Sequence, residues 1–195
     1  MKERCSWVNL KNPIYVAYHD QEWGVPVWED QKLFEMLLLE GAQAGLSWET
    51  VLNKREGYCK AFSGFEAKKI ARFSPAKLLQ LEKNPAIIRN RLKIKSAVQN
   101  AKAFLALQKE EGGFAKYLWN WVEGKPIQNH FKKLSQIPAK TELSDQISRD
   151  LKKRGFNFVG SSIIYAWMQA VGLVNDHLVD CFCYPSVQKL KPKKI

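Results

Sequence analysis

A chain of 195 residues with 46% hydrophobic side chains is long enough to bury a core and short enough to do so as one domain. It has no stretch near the ~18 apolar residues a membrane-spanning helix needs, and no opening apolar run behind basic residues that would mark a secretory signal. Lys and Arg number 31 against 19 Asp and Glu, a formal +12, which favours a polyanionic partner, with nucleic acid ahead of an anionic membrane surface. No basic amphipathic helix with an aromatic face supports a membrane role, so a cytoplasmic protein, monomeric and free of membranes, is expected.

Helical periodicity dominates the chain. Asp30 is placed to cap a helix carrying Leu33, Phe34, Leu37, Leu38 and Ala44, ending near Gly45. Ser47 caps the next, with Trp48, Val51 and Leu52 on one side, and Ser74-Pro75 opens another. A long helix is predicted from about Lys93 through Ala97, Ala101 and Leu105 to a stop at Gly112-Gly113. Further helices fit Phe114 to Val122, Ser144 to Arg154 with Gly155 as the stop, and Ser161 to Val171. No alternating segment is flanked by hairpin turn residues, so no strand is predicted and the fold class is all-α. Residues 1–188 read as a single helical domain and 189–195 as a basic C-terminal tail.

Between Leu81 and Ala97 the chain reads L-E-K-N-P-A-I-I-R-N-R-L-K-I-K-S-A, which suits a short helix, a tight apolar turn and a second helix. Backbone amides at such a turn and helix start bind phosphate, and Arg89, Arg91, Lys93 and Lys95 would strengthen the grip. The competing view is a solvated basic loop between two core helices.

The cysteines are few and lie mostly at the ends: Cys5, Cys59, Cys181 and Cys183. Cys5 and His19 near one terminus, with His177 and Cys181 near the other, make a closed two-thiolate, two-imidazole set for a structural Zn2+. His177 and Cys181 are four apart and would share a face on a helical turn. Cys183 is the weaker candidate, although a local turn could exchange it for Cys181. Such a metal would pin the two ends of the chain together. The alternative is scattered buried cysteines with satisfied histidines.

Glu40 follows Leu33 and Leu37 at helical spacing, which puts a carboxylate on the apolar stripe. That is costly unless the group is paired or functional; the alternative is a stripe-edge acid reaching water. Trp7, Tyr15, Tyr18, Trp23 and Trp48 fall near Glu40 or the terminal clasp. Flat rings around an acid would stack a flipped, cationic base while the carboxylate binds its amino group. Trp119, Trp121 and Trp167 are expected to fill the core.

At these residues the chain resembles the type I 3-methyladenine DNA glycosylases. The matching segments are R-C-S-W-V from Arg4, Y-H-D-Q-E-W-G-V-P from Tyr18, L-E-G-A-Q-A-G-L-S-W from Leu39 and I-I-R-N-R-L-K-I from Ile87. L-K-K-R-G-F-N-F-V-G from Leu151, G-L-V-N-D-H from Gly172 and then C-F-C-Y-P complete the set, in order and over nearly the whole chain. The resemblance implies a helix-hairpin-helix glycosylase fold with a zinc clasp of Cys5, His19, His177 and Cys181. It places the base-recognising acid on Glu40, pocket aromatics on Tyr18 and Trp48, and Tyr15 and Trp7 at or near the pocket. It puts the plug that fills the gap in the duplex on Gly45 and Leu46. The implied activity is hydrolysis of the N-glycosidic bond of 3-methyladenine in alkylated double-stranded DNA, leaving an abasic site. One departure is Asn84-Pro85-Ala86, where the family pattern commonly has glycine before I-I-R-N-R; alanine takes a positive φ less cheaply. A DNA-binding module without chemistry, and a zinc hydrolase with an open coordination position, are the rival functions. The first gives no reason for Glu40 amid aromatics, and the second conflicts with a four-ligand set.

Overall fold

The computed structural model describes residues 2–190, so residues 191–195 of the basic tail lie outside the described residues. The helices are α1 (Pro13–Gln21), α2 (Asp30–Gln43), α3 (Trp48–Leu52), α4 (Arg55–Ala61), α5 (Ala67–Ile70) and α6 (Pro75–Lys83). They continue with α7 (Arg91–Glu111), α8 (Phe114–Asn120), α9 (Glu142–Lys153), α10 (Ser161–Ala170) and α11 (Cys183–Gln188). Contrary to the strand-free expectation, β1 (Ile127–Gln128) and β2 (Val174–Asn175) form a two-residue parallel pair. Two residues are too few to leave a period, so the pairing comes from tertiary packing. Among the described residues no helix is long and apolar enough to cross a membrane.

The axis of the fold is α2. From Leu33 onward it is buried almost without interruption, including Glu40 and Gly41, because α3, α7, α8 and α10 all pack on it. A helix enclosed on all sides has little amphipathic contrast left. Trp167 and Trp119 fill the core as expected and anchor their indoles on this region, Trp167 Nε1 donating to Leu33 O and Trp119 Nε1 to Val27 O. Trp121 is only half-buried at the core edge.

Ser47 caps α3 and Ser74 caps α6, with Pro75 in the first turn, as the sequence predicts. Asp30 does not cap its own helix. Its carboxylate accepts hydrogen bonds from the amides of Phe114 and Ala115, capping α8, and from Gln108 Nε2. The nearest orphan amides in space belonged to another helix, which spacing along the chain cannot reveal. The helix predicted from Ser144 starts two residues earlier, capped by Thr141, and Ser144 completes a reciprocal box with it.

The segment from Leu81 to Ala97 is a helix, a tight turn and a helix: α6, residues 84–90, and the start of α7. Asn84 Oδ1 accepts from Ala86 N, and Asn90 Oδ1 caps α7 through the amides of Leu92 and Lys93. Helix α4 supports the turn from below: Tyr58 Oη accepts from Ile88 N, and Lys54 Nζ just before it donates to Pro85 O. Ala86 takes no positive φ, so the turn closes without glycine at that position. The close approach is accommodated by Gly57 of α4, where a Cβ would stand 2.2 Å from Ala86 O.

Candidate active site

Helix α2 presents Glu40 to a cavity of about 330 Å³, within the range that holds a small aromatic ligand. Tyr18 from α1 and Trp48 from α3 form one wall, ring centroids 5.3 Å apart. Trp7 and Tyr15 form another, 5.4 Å apart. Asn12 caps α1 through the amides of Ile14 and Tyr15, and its side-chain amide also donates to Glu49 and Asn53, fastening α1 to α3. The paired aromatic walls are therefore held by one polar joint.

Glu40 is buried, and its Oε2 has no hydrogen-bond partner. Desolvation pushes its carboxyl up to about 8. Trp48 Nε1 is the other buried side-chain polar atom left without a partner among the described residues. Two unsatisfied groups in one cavity are a cost the fold bears for something that enters. Burial also raises the Tyr18 and Tyr15 hydroxyls, keeping both neutral.

Sequence reasoning missed part of the lining. Gln43 on α2 and Gln169 on α10 add polar groups, and Leu134 and Ile137 form the far rim. Gln169 left a signal, a lone polar residue late in an apolar helix; its Nε2 donates to buried Asp176, which also accepts from Tyr165 and Asn129. Leu134 and Ile137 open and close a single 3-10 turn, too short to leave a period in the sequence.

The terminal clasp lies behind the aromatic wall. Cys5, His19, His177 and Cys181 are all buried, and their ligand atoms lie within 4.8 Å of one another. His177 Nδ1 is 3.6 Å from both Cys5 Sγ and Cys181 Sγ, and His19 Nε2 is 3.5 Å from Cys181 Sγ. The outer ring nitrogens are engaged: His177 Nε2 donates to Trp23 O, and His19 Nδ1 to Asp20, which Arg4 holds through a fork of hydrogen bonds. Those bonds leave lone pairs on the nitrogens that face the sulfurs. Residues 177–181 form a turn, not the helical turn expected; it closes through Cys181 N and Leu178 O. Cys183 begins α11 and points to the carbonyls of His19 and Asp20 at 3.9 Å, beside the cluster and outside the set of four. Hydrogen bonding from the Cys183 and Cys5 thiols pulls Cys181 well below its ordinary range.

Gly45 and Leu46 follow α2. Gly45 adopts φ +77° in open space, and Leu46 is exposed. Arg89 and Arg91 are exposed in the 84–90 turn and at the start of α7. Lys93, expected to face phosphate beside them, instead donates from Nζ to Ala42 O and Ala44 O at 2.8 and 2.6 Å. At the turn and helix start whose amides were expected to hold phosphate, those of Ile88, Leu92 and Lys93 are already taken by Tyr58 and Asn90.

The family model described as methyladenine glycosylase matches residues 7–184. The chain belongs to the methyladenine glycosylase family. It is 49% identical over 183 residues to DNA-3-methyladenine glycosylase 1 of Escherichia coli (strain K12), covering 94% of this chain and 97% of the relative. It is also 49% identical over 186 residues to DNA-3-methyladenine glycosylase of Haemophilus influenzae, covering 95% and 100%. Among solved structures, a crystal structure of 3-methyladenine DNA glycosylase I superposes with a TM-score of 0.91 at 49% identity, covering 94% of this chain and all of that one. The Staphylococcus aureus glycosylase whose structure addresses 3-methyladenine recognition superposes at 0.90 with 36% identity, covering 93% and 96%. The mostly helical architecture is thus that of the family's solved members.

Proposed function

We propose that this protein is a DNA-3-methyladenine glycosylase that hydrolyses the N-glycosidic bond of 3-methyladenine in alkylated double-stranded DNA. The observation that carries the reading is Glu40 Oε2, buried and unpartnered in an aromatic cavity. Neutral adenine would leave a buried carboxylate uncompensated or a buried acid neutral. A methylated, cationic base supplies the missing positive charge and draws Glu40 from its protonated form, favoured by burial, to the carboxylate. Tyr18 and Trp48 enclose the faces of the base, with Tyr15 and Trp7 completing the wall.

The charged base is already a good leaving group, so the protein supplies extrusion and discrimination more than acceleration. Water adds its oxygen to the anomeric carbon, the glycosidic electrons return to the base and cancel its charge, and one proton is released. The products are free 3-methyladenine and an abasic site. Gly45 and Leu46 serve as the plug in the vacated stack, and α6, the turn and α7 as a helix-hairpin-helix whose Arg89 and Arg91 meet phosphate. One chain carries pocket, plug and hairpin, which supports action as a monomer.

The clasp residues fit Zn2+. Sulfur and nitrogen ligands at about 2.3 and 2.0–2.1 Å around a tetrahedral centre lie about 3.6 Å apart, matching the sulfur–nitrogen separations. The occupied outer nitrogens are the arrangement that orients metal-bound imidazoles. Four ligands close the coordination, so the ion supplies cross-linking of the two ends of the chain and no reaction chemistry.

The direct test is incubation of the purified protein with methylated duplex DNA and chromatography of the released bases. Release of 3-methyladenine with 7-methylguanine left in place is the expected result; no release from folded protein would refute the reading.

A further inference from the structure

Helix α2 ends one turn beyond Glu40, where its carbonyls lose their partners within the helix. The carbonyl of Gly41 accepts from Ala44 N, and that of Gln43 from Leu46 N. The other two in this run, those of Ala42 and Ala44, are both taken by Lys93 Nζ at 2.8 and 2.6 Å. Lys93 takes part in no ion pair among the described residues, so its charge is spent on the negative end of α2. Its stem runs along a narrow crevice lined by Leu38, Gly41, Ala42, Ile94 and Phe158. Its backbone is fixed as well, because Asn90 Oδ1 accepts from Lys93 N while capping α7.

We infer that Lys93 is a positioning residue: it ties the start of α7 to the end of α2 and so fixes the Gly45-Leu46 turn relative to the hairpin. The inference rests on the glycosylase function proposed above, and it replaces a phosphate contact for Lys93 with an internal one. Its consequence is mechanical. The hairpin grips the DNA backbone, the turn after α2 enters the stack, and the distance between them sets whether a lesion arrives at Glu40. Lys93 bridges that distance by a short route: one side chain, two carbonyls, then Gly45, whose positive φ turns the chain outward to Leu46.

The test compares Lys93→Met, Lys93→Arg, Leu46→Ala and the Lys93→Met/Leu46→Ala double variant. Single-turnover release of 3-methyladenine from methylated duplex at saturating enzyme is measured beside the salt dependence of affinity for undamaged duplex. Lys93→Met is expected to lose about 10- to 100-fold in the single-turnover rate, the scale of a misplaced reacting group, with an unchanged salt slope. Lys93→Arg should recover most of that rate. In the Leu46→Ala background Lys93→Met should cost little more, because both changes act on the same turn. A salt slope shallower by about 0.9 with an unaltered saturating rate would make Lys93 a phosphate ligand and overturn the inference. So would additive losses in the double variant, or a wild-type rate in Lys93→Met. Should Lys93→Met fold poorly, Lys93→Gln enters the same cycle: as a clamp it keeps part of the rate, whereas as a phosphate ligand it shows the shallower slope. A wild-type protein that releases no base removes the glycosylase function itself, whereas wild-type excision with an indifferent Lys93→Met removes only the clamp.

Discussion

Trp23 and His177 are joined twice: His177 Nε2 donates to Trp23 O at 2.9 Å, and their rings meet edge-on with centroids 4.6 Å apart. Trp23 in turn packs on Trp7, and Trp7 on His19, so the aromatic wall of the Glu40 cavity is built against the cluster of Cys5, His19, His177 and Cys181. A metal held by these four residues, as proposed above, would therefore be linked mechanically to the shape of the cavity. Strong chelation, or His177→Ala, should lower the melting temperature and abolish excision together, as followed by calorimetry, metal analysis and base release. Because the four ligands leave no open position, replacing zinc with cobalt should preserve the excision rate. A rate that tracks metal identity would contradict a structural role.

Glu40→Gln removes the charge and keeps the shape. Base release should fall by about 10² or more, comparable to losing a preorganised electrostatic partner, while the far-ultraviolet spectrum is unchanged. Excision at the wild-type rate would end the assignment of Glu40.

The same residue makes a pH signature. Its carboxyl titrates near 8 when folded against an ordinary 4.5, so between those values the folded chain holds a proton that the unfolded chain has released. Wild-type stability relative to Glu40→Gln should therefore fall as pH rises from about 4.5 to about 8 and then level off. The span is of the order of a few kcal/mol. Urea denaturation of both proteins at pH 5 and pH 9 measures it, and parallel curves would show that Glu40 is solvated.

Gly57 lies under the hairpin, and Gly57→Ala places a methyl group against Ala86 O. Overpacking at such a contact costs about 1–3 kcal/mol. The turn should also shift away from α4, weakening affinity for undamaged duplex by more than the stability loss alone explains. Unaltered melting would mean that the turn yields freely.

Asp30→Ala should cost about 1–3 kcal/mol by leaving the amides of Phe114 and Ala115 without an acceptor. Excision below the melting transition should be unaffected, since Asp30 lies outside the base cavity. Denaturation with activity assayed on the same samples separates the two effects.

Much of this molecule is legible along the chain because the signals are local. Ser47, and Ser74 with Pro75, set helix starts through amides three residues away, and an apolar period marks α2 and α7 wherever they end up. Glu40 stood out because a carboxylate on an apolar stripe is anomalous at short range, and Cys5, His19, His177 and Cys181, which the fold gathers into one buried cluster, because such side chains are scarce in this chain. The tertiary structure decided whatever depends on which orphan group lies nearest in space. Asp30 caps a helix 84 residues away, Lys93 turns inward to the carbonyls at the end of α2, and Gly57 makes room for Ala86. A side chain satisfies the closest unpaired donor or acceptor, and sequence fixes the chemistry of each group but not which of them the fold brings within reach.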